Sequence, residues 1–407
     1  MSESKFIPSL RFAVMSDLHV KEEQRLEEER FDSALKYAYS IAHSSDEYKK
    51  LDAVVIVGDF ANHGTEIEMT RVRDVLNANI DRDETDVIMS FASHECGNSV
   101  EGTAAATEKM KRILDQDPDQ HKVINGFHFV SISPSKKCSY NDEKIAWMSK
   151  ELDTAARDDR KKPIFVFQHP HNSATVYGSI LWGTDELIPV YMNYPQIIHF
   201  SGHSHAPIND PRSIHQKHFT SLGTGTLRYL ELDEFDKIYG TVPPKSTDVA
   251  QFLIVEVAAD NRVRVYPFDV LTGNFFPMVH KIDTPSDPES FTYTDERYKN
   301  AVAPYFTDDA EIRVTETGKN SIKFEFDQAK SDTEYVNSYD ITLKDTEGFI
   351  IRHLSIWSEY YFYDMPKTLS AEIDGLDSGK KYHLEIKADG FWNNRSKNSI
   401  KAEITTI

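Results

Sequence analysis

Two imidazoles stand two residues apart in the run Gly202-His203-Ser204-His205, directly after an apolar stretch over residues 197–200. In an extended segment residues i and i+2 project to the same side, so both rings are expected to face one point. Neutral imidazole is the commonest protein ligand for borderline divalent metals, and Gly202 would let the backbone turn sharply where a strand ends. Upstream, four further stretches place carboxylates or imidazoles after apolar runs: Asp17-Leu18-His19, Gly58-Asp59, Ser93-His94-Glu95 and Gln168-His169-Pro170-His171. Each has a plainer reading beside the metal one. Asp17 and His19 suit a turn cap, Gly58-Asp59 suits a turn, and His171 suits a surface loop.

The elements that carry these residues read as α/β. Residues 11–16 form a buried strand, 31–39 have the apolar spacing of an amphipathic helix, and 53–57 are continuous and β-branched, as in a strand covered on both faces. A helix over 66–80 and a strand over 86–91 complete the pattern of βαβ units. Residues 127–133, 163–167 and 197–200 read as further strands and 141–156 as a helix. In such sheets ligands gather beyond the carboxyl ends of the strands, and five strand ends deliver the candidate residues there.

Taken in order, these motifs resemble the calcineurin-like metallophosphoesterase superfamily over roughly residues 11–230. The resemblance implies a four-layer α/β/β/α sandwich holding two metal ions bridged by an aspartate and a hydroxide. It places Asp17, His19 and His205 on the first metal, Asp59 between both, and His169 and His203 on the second. His94 would not ligate but would serve as donor to the phosphate or leaving group. The chemistry suits these residue types. Two metals about 3.5–4 Å apart clamp an in-line displacement at phosphorus and make hydroxide at neutral pH, and mixed N/O donors suit Mn, Fe or Zn. One departure stands out: the family's third motif is Gly-Asn-His-Asp/Glu, whereas here Ala92-Ser93-His94-Glu95 puts Ser93 where the asparagine ligand is usual. Ser93 or a water is expected there, with a weaker second site, and Asn62 and Asn98 are the nearest substitutes.

The formal charge of −20 over 407 residues argues against broad binding to nucleic acid or anionic membranes, so an anionic substrate needs a local cation. Cys96 and Cys138 are the only cysteines, too few for a disulfide framework or a thiolate zinc site. Residues 1–10 lack the apolar core of a signal peptide, and a cytoplasmic location is expected, or a secreted one if a leader has been removed.

The expected organisation is a catalytic domain over 1–282, a linker over 283–309 rich in Pro, Ser, Thr and Asp, and seven short strands over 310–407 forming a β-sandwich. Residues 375–382, with Ala388, look like the fibronectin type III pattern around its sixth strand. That resemblance implies a spacer, docking or oligomerisation module with Phe324 or Phe326 filling its core. The leading functional expectation is a metal-dependent phosphoric ester hydrolase acting on a small phosphate ester, more a phosphodiesterase than a monoesterase by family analogy. The alternative is a catalytically silent binding or scaffold protein of the same fold, for which Ser93 speaks.

Overall fold

Along β1 (Pro8–Met15) the side chains split between two cores. Phe12 and Val14 enter one, and Ala13 and Met15 enter the other. The same division recurs along β2 (Ala53–Val57), where Val55 and Val57 face one way and Val54 and Ile56 the other. Strands apolar on both faces must be covered on both. The computed structural model describes residues 5–97 and 100–407, with the backbone alone at Val100.

After β1 the chain forms α1 (Leu26–Ser44), β2, α2 (Glu66–Asn79), β3 (Asp86–Ser90), the single-turn α3 (Ser93–Cys96) and α4 (Val100–Lys109). Next come β4 (Gln120–Ile124), β5 (Phe127–Ser131), α5 (Asp142–Asp158), β6 (Ile164–Phe167), β7 (His171–Asn172), β8 (Gly183–Thr184), α6 (Ile188–Tyr191) and β9 (Ile197–Ser201). The series closes with β10 (Ile214–Gln216), β11 (Thr220–Gly223), β12 (Gln251–Ala258), β13 (Val263–Asp269), β14 (Asn274–Phe275) and β15 (His280–Ile282).

Two sheets result. One runs β14-β13-β12-β1-β2-β3 with β15 beside β13, and the other runs β10-β11-β9-β6-β5-β4. β1, β2 and β3 are parallel, as are β5, β6, β9 and β11, so their carboxyl ends lie together. Phe12, Phe129, Phe165, Phe167 and Phe200 interlock between the sheets, with Phe12 and Phe165 ring centroids 4.8 Å apart. A second core joins β1–β3 to α1 and α2, and a third joins the other sheet to α5 and α6. The order of layers is therefore helix, sheet, sheet, helix. Thr65 starts α2 with a capping box: its hydroxyl accepts from Glu68 N at 3.2 Å, and Glu68 accepts from Thr65 N. Helix α1 begins before the expected 31–39, because Arg30 is drawn inside to donate to the carbonyls of Leu227 and Val249.

The chain divides into two compact units, the described residues up to Asp233 with Lys245–Asp295, and Glu234–Pro244 with Glu296–Ile407. The stretch 283–309 thus splits between them at Asp295 and Glu296. The second unit holds α7 (Arg297–Asn300) and β16 (Ile312–Thr317), β17 (Ser321–Asp327), β18 (Ser338–Lys344), β19 (Ile350–Trp357), β20 (Thr368–Asp374), β21 (Lys381–Asp389) and β22 (Ile400–Thr405). All pair antiparallel, in the orders β16-β17-β20 and β19-β18-β21-β22. Alternate residues of β17 (Ile322, Phe324, Phe326) and β21 (Tyr382, Leu384, Ile386, Ala388) meet in one core. The Tyr382 hydroxyl accepts a hydrogen bond from Asp377 N at 3.1 Å. Among the described residues, no helix is long and apolar enough to cross a membrane.

Candidate metal centre

The turns after β1, β2, β3, β6 and β9 converge. Asp17 N donates to Gly58 O at 3.2 Å and His19 N to Asp59 O at 2.9 Å, which welds the first two turns together. Asp17, His19, Asp59, His203 and His205 all adopt left-handed backbone, with φ of 52°, 49°, 50°, 74° and 55°. Non-glycine residues pay strain there, and such strain gathers at functional sites. Gly58 is required on two counts: its φ is +75°, and a Cβ would stand 2.8 Å from Ala92 Cβ and 2.7 Å from His169 Nδ1.

Three groups of donors form, each with its ligand atoms within 4.8 Å of one another: Asp17, His19 and His205; His19, Asp59 and His94; and Asp59, His169 and His203. Asp59 belongs to two of them. In the first group His19 Nε2 lies 3.1 Å from His205 Nε2, and Asp17 Oδ1 lies 3.2 Å from His205 Nε2 and 3.8 Å from His19 Nε2. Ligands at about 2.0–2.2 Å from one ion are separated by distances of this order. Asp17 Oδ2 is already taken, by Ser16 Oγ at 2.5 Å and His203 N at 3.1 Å. Oδ1 is fully buried and, among the described residues, has no hydrogen-bond partner.

The third group tells the same story. His169 Nδ1 bonds the Val57 carbonyl at 2.7 Å, which requires the proton on that nitrogen. Its buried Nε2 is left without a hydrogen bond, 2.9 Å from Asp59 Oδ2. A lone pair facing a carboxylate oxygen at that distance needs a proton or a cation between them. Without a metal the proton serves. Burial would lower the His169 pKa, but Asp59 and Asp17 outweigh it and hold the group up to about 10. Burial wins at His19, which falls to about 4, and at His203, which falls to about 3. Asp59 and Asp17 resist burial through the neighbouring imidazoles, and both stay below the ordinary carboxylate range.

The expectation that His203 and His205 share an extended segment is corrected here. Left-handed turns at both residues send His205 to Asp17 and His19, and His203 to Asp59 and His169. Gly202 also acts differently from expectation: it clears space, since a Cβ would collide with Asp17 Oδ2 and stand 2.8 Å from Ser16 Cβ. His171 is no surface residue either. It is fully buried, with Nδ1 2.7 Å from Ser201 Oγ and Nε2 2.8 Å from Ser204 Oγ, so it braces the turn that carries both histidines.

Residues 10–207 match the family model of the calcineurin-like phosphoesterases. No curated protein matches the chain. A solved structure titled "Myokine structure" aligns with 16% identity over 26% of this chain and 97% of that one, with a TM-score of 0.19, a likeness too slight to assign anything. The family match and the donor groups together support a metal-dependent phosphoester hydrolase.

His94 is exposed above the cluster, its ring 4.4 Å from that of His19 and perpendicular to it. Its Nδ1 bonds the Asn62 carbonyl at 2.7 Å, and its backbone N donates to Asp59 Oδ1 at 3.1 Å. Ser93 lines the same cleft with its side chain hydrogen-bonded to Cys138, whose Sγ lies 3.5 Å from His203 Nε2. Burial, then Asp59, push the Cys138 thiol up to about 12. The Asn62 side-chain oxygen accepts from Arg228 at 2.9 Å, and Asn98 lies outside the described residues. Glu95, given no role from sequence, holds the turn after β2: its carboxylate accepts from the backbone N–H of Asp59, Ala61 and Ala92 at 3.2, 2.7 and 2.8 Å. The acidic residue one place after His94 was its only sequence signal.

Proposed function

We propose that this protein is a dinuclear metal-dependent phosphodiesterase. The observation that carries the reading is Asp59, whose carboxylate is grouped with His169 and His203 on one side and with His19 of the first donor set on the other, as a two-oxygen bridge between two ions would be. Asp17, His19 and His205 would hold the first ion, Asp59 both, and His169 and His203 the second, with Ser93 or a water beside it. Mixed N/O donors suit Mn, Fe or Zn. Bound there, two ions would polarise the phosphoryl oxygens and supply hydroxide at neutral pH. Around them the protein's own groups orient the reaction. His94 donates through Nδ1 to Asn62 O when neutral, which leaves Nε2 to bind and release the leaving group's proton. Glu95 and His171 keep the ligand turns in place.

A diester rather than a monoester is supported by the cleft over the cluster, whose volume of ≈ 1270 Å³ leaves room for two substituents on phosphorus. A small phosphate ester is the partner; the second unit, read as a fibronectin III-like sandwich from its strand orders and the Tyr382 to Asp377 bond, serves as spacer or docking module. Ser93 favours one competing reading, a silent binding protein. The test is turnover of bis-p-nitrophenyl phosphate against p-nitrophenyl phosphate after chelation and reloading with manganese. Metal-dependent turnover with preference for the diester supports the proposal, and absence of both turnover and bound metal sinks it.

A further inference from the structure

The cleft is asymmetric in a way that hydrolysis alone does not require. On one side Trp182 stands against the cluster, its indole 5.1 Å from the His203 ring and perpendicular to it at 82°. Trp182 is fixed by backbone: its N–H donates to Gly178 O at 3.0 Å, its carbonyl accepts from His171 N at 3.2 Å, and Gly183 beside it pairs with His171. Trp182 and Leu181 both line the cleft, and Leu181 is 53% exposed. A rigid, partly exposed indole extended by an exposed leucine offers a flat apolar surface to a ring that enters the cleft. Charge on the cleft wall is mixed: Lys137, Asp185 and Glu186 all line it.

We infer that Trp182 is the specificity-determining shelf of the site, on which a flat uncharged ring of the ester stacks. The favoured substrate is a phosphodiester with one phosphate and an aryl or nucleobase ring. Lys137 meets the single phosphate charge, and Asp185 and Glu186 in the same lining disfavour polyphosphate chains. The cleft volume of ≈ 1270 Å³ leaves room for such a ring beside the phosphate.

This rests on the phosphodiesterase reading, so the test has one arm that needs no turnover. Calorimetry on the manganese-loaded full chain compares thymidine 5′-monophosphate with ribose 5-phosphate. The nucleotide should bind about tenfold more tightly, as one stacked base contributes, with the gap lost in Trp182→Ala and kept in Trp182→Phe. The second arm measures KM for methyl and thymidine 5′ esters of p-nitrophenyl phosphate. Trp182→Ala should raise the KM of the thymidine ester about tenfold more than that of the methyl ester at unchanged metal content. Equal binding of the two monophosphates, or equal losses for both esters, overturns the shelf. Selective binding without turnover keeps the shelf and overturns the hydrolase reading.

Discussion

His19 and His205 are 186 residues apart in sequence, and their Nε2 atoms lie 3.1 Å apart. His205 Nδ1 bonds the Tyr229 carbonyl at 2.8 Å, so in the neutral ring Nε2 carries the lone pair, and it points at another imidazole and at buried Asp17 Oδ1. Nothing in the apolar surroundings stabilises that convergence except a shared proton or a cation. His205→Ala should therefore abolish one equivalent of bound metal while the chain still folds. Thermal melts with and without manganese check it. At a concentration of about 100 Kd the ion stabilises the parent by about 2.7 kcal/mol, and the variant should show a clearly smaller gain.

Metal uptake should depend steeply on pH. In the metal-free protein His169 titrates at about 10 and His205 is also raised, Asp17 and Asp59 being the partners that overcome burial. These raised values stabilise the metal-free fold fully below the ordinary imidazole value of about 6.5, and that contribution is lost as pH climbs through the folded value. An ion needs the neutral ring, so binding at pH 7 to 8 expels the proton on His169. Affinity should rise by up to about tenfold per pH unit over that window. Titration calorimetry in buffers of different ionisation enthalpy would count the protons, and zero release at pH 7.5 contradicts the assignment.

Ser93→Asn should tighten the second ion. The serine hydroxyl is shorter than an amide and is engaged by Cys138. A carboxamide oxygen would reach further from the same turn and relieve the deficit. The expected gain is about tenfold or more in the weaker of two binding steps, the scale on which smaller changes around metal ligands already act. A binding isotherm unchanged by the substitution would mean that Ser93 stands outside the coordination sphere.

Much of this was legible because period and position survive in sequence. The continuous apolar runs of β2 and β6 mark strands buried on both faces, and the acids and imidazoles just beyond them mark the site edge. The seven strands of the second unit were readable from alternation alone, as in β20 with Leu369, Ala371 and Ile373 inward. What escaped reading is non-local. No element was assigned to β12 and β13, although β12 completes the sheet beside β1, because partners such as Val14 and Leu253 stand 239 positions apart (253 − 14) with no local signal linking them. Backbone handedness escaped too: nothing in Gly202-His203-Ser204-His205 announces two left-handed histidines, since that conformation is imposed by contacts such as His203 N to Asp17 Oδ2. Cys138 reaches the site through a loop, and His171 through the two-residue strand β7, neither of which pattern can place.

The second unit offers a test of packing independent of chemistry. Phe324 is fully buried between the two small sheets, with its ring 6.5 Å from that of Phe326. Phe324→Ala removes a large side chain from a core with no room to collapse freely, and should cost about 3–5 kcal/mol. Denaturant unfolding followed by circular dichroism would show a lowered midpoint for the transition of this unit. Metal content at the donor groups of the first unit should be unchanged.

His94 separates binding from catalysis. It shares a donor group with His19 and Asp59, yet it is exposed where His19, His169 and His205 are buried, and its ring stands perpendicular to His19 with Nδ1 committed to Asn62. If its task is to protonate the leaving oxygen, the loss on substitution must scale with how badly that oxygen needs a proton. His94→Ala should keep two metal equivalents and lose about a hundredfold in kcat on alkyl esters, within the range of general acid catalysis. On p-nitrophenyl esters, whose leaving group departs as a stable anion, the loss should be several-fold smaller. Metal analysis beside kcat for a series of leaving groups decides it. Equal losses across the series, or metal lost together with activity, would place His94 among the ligands.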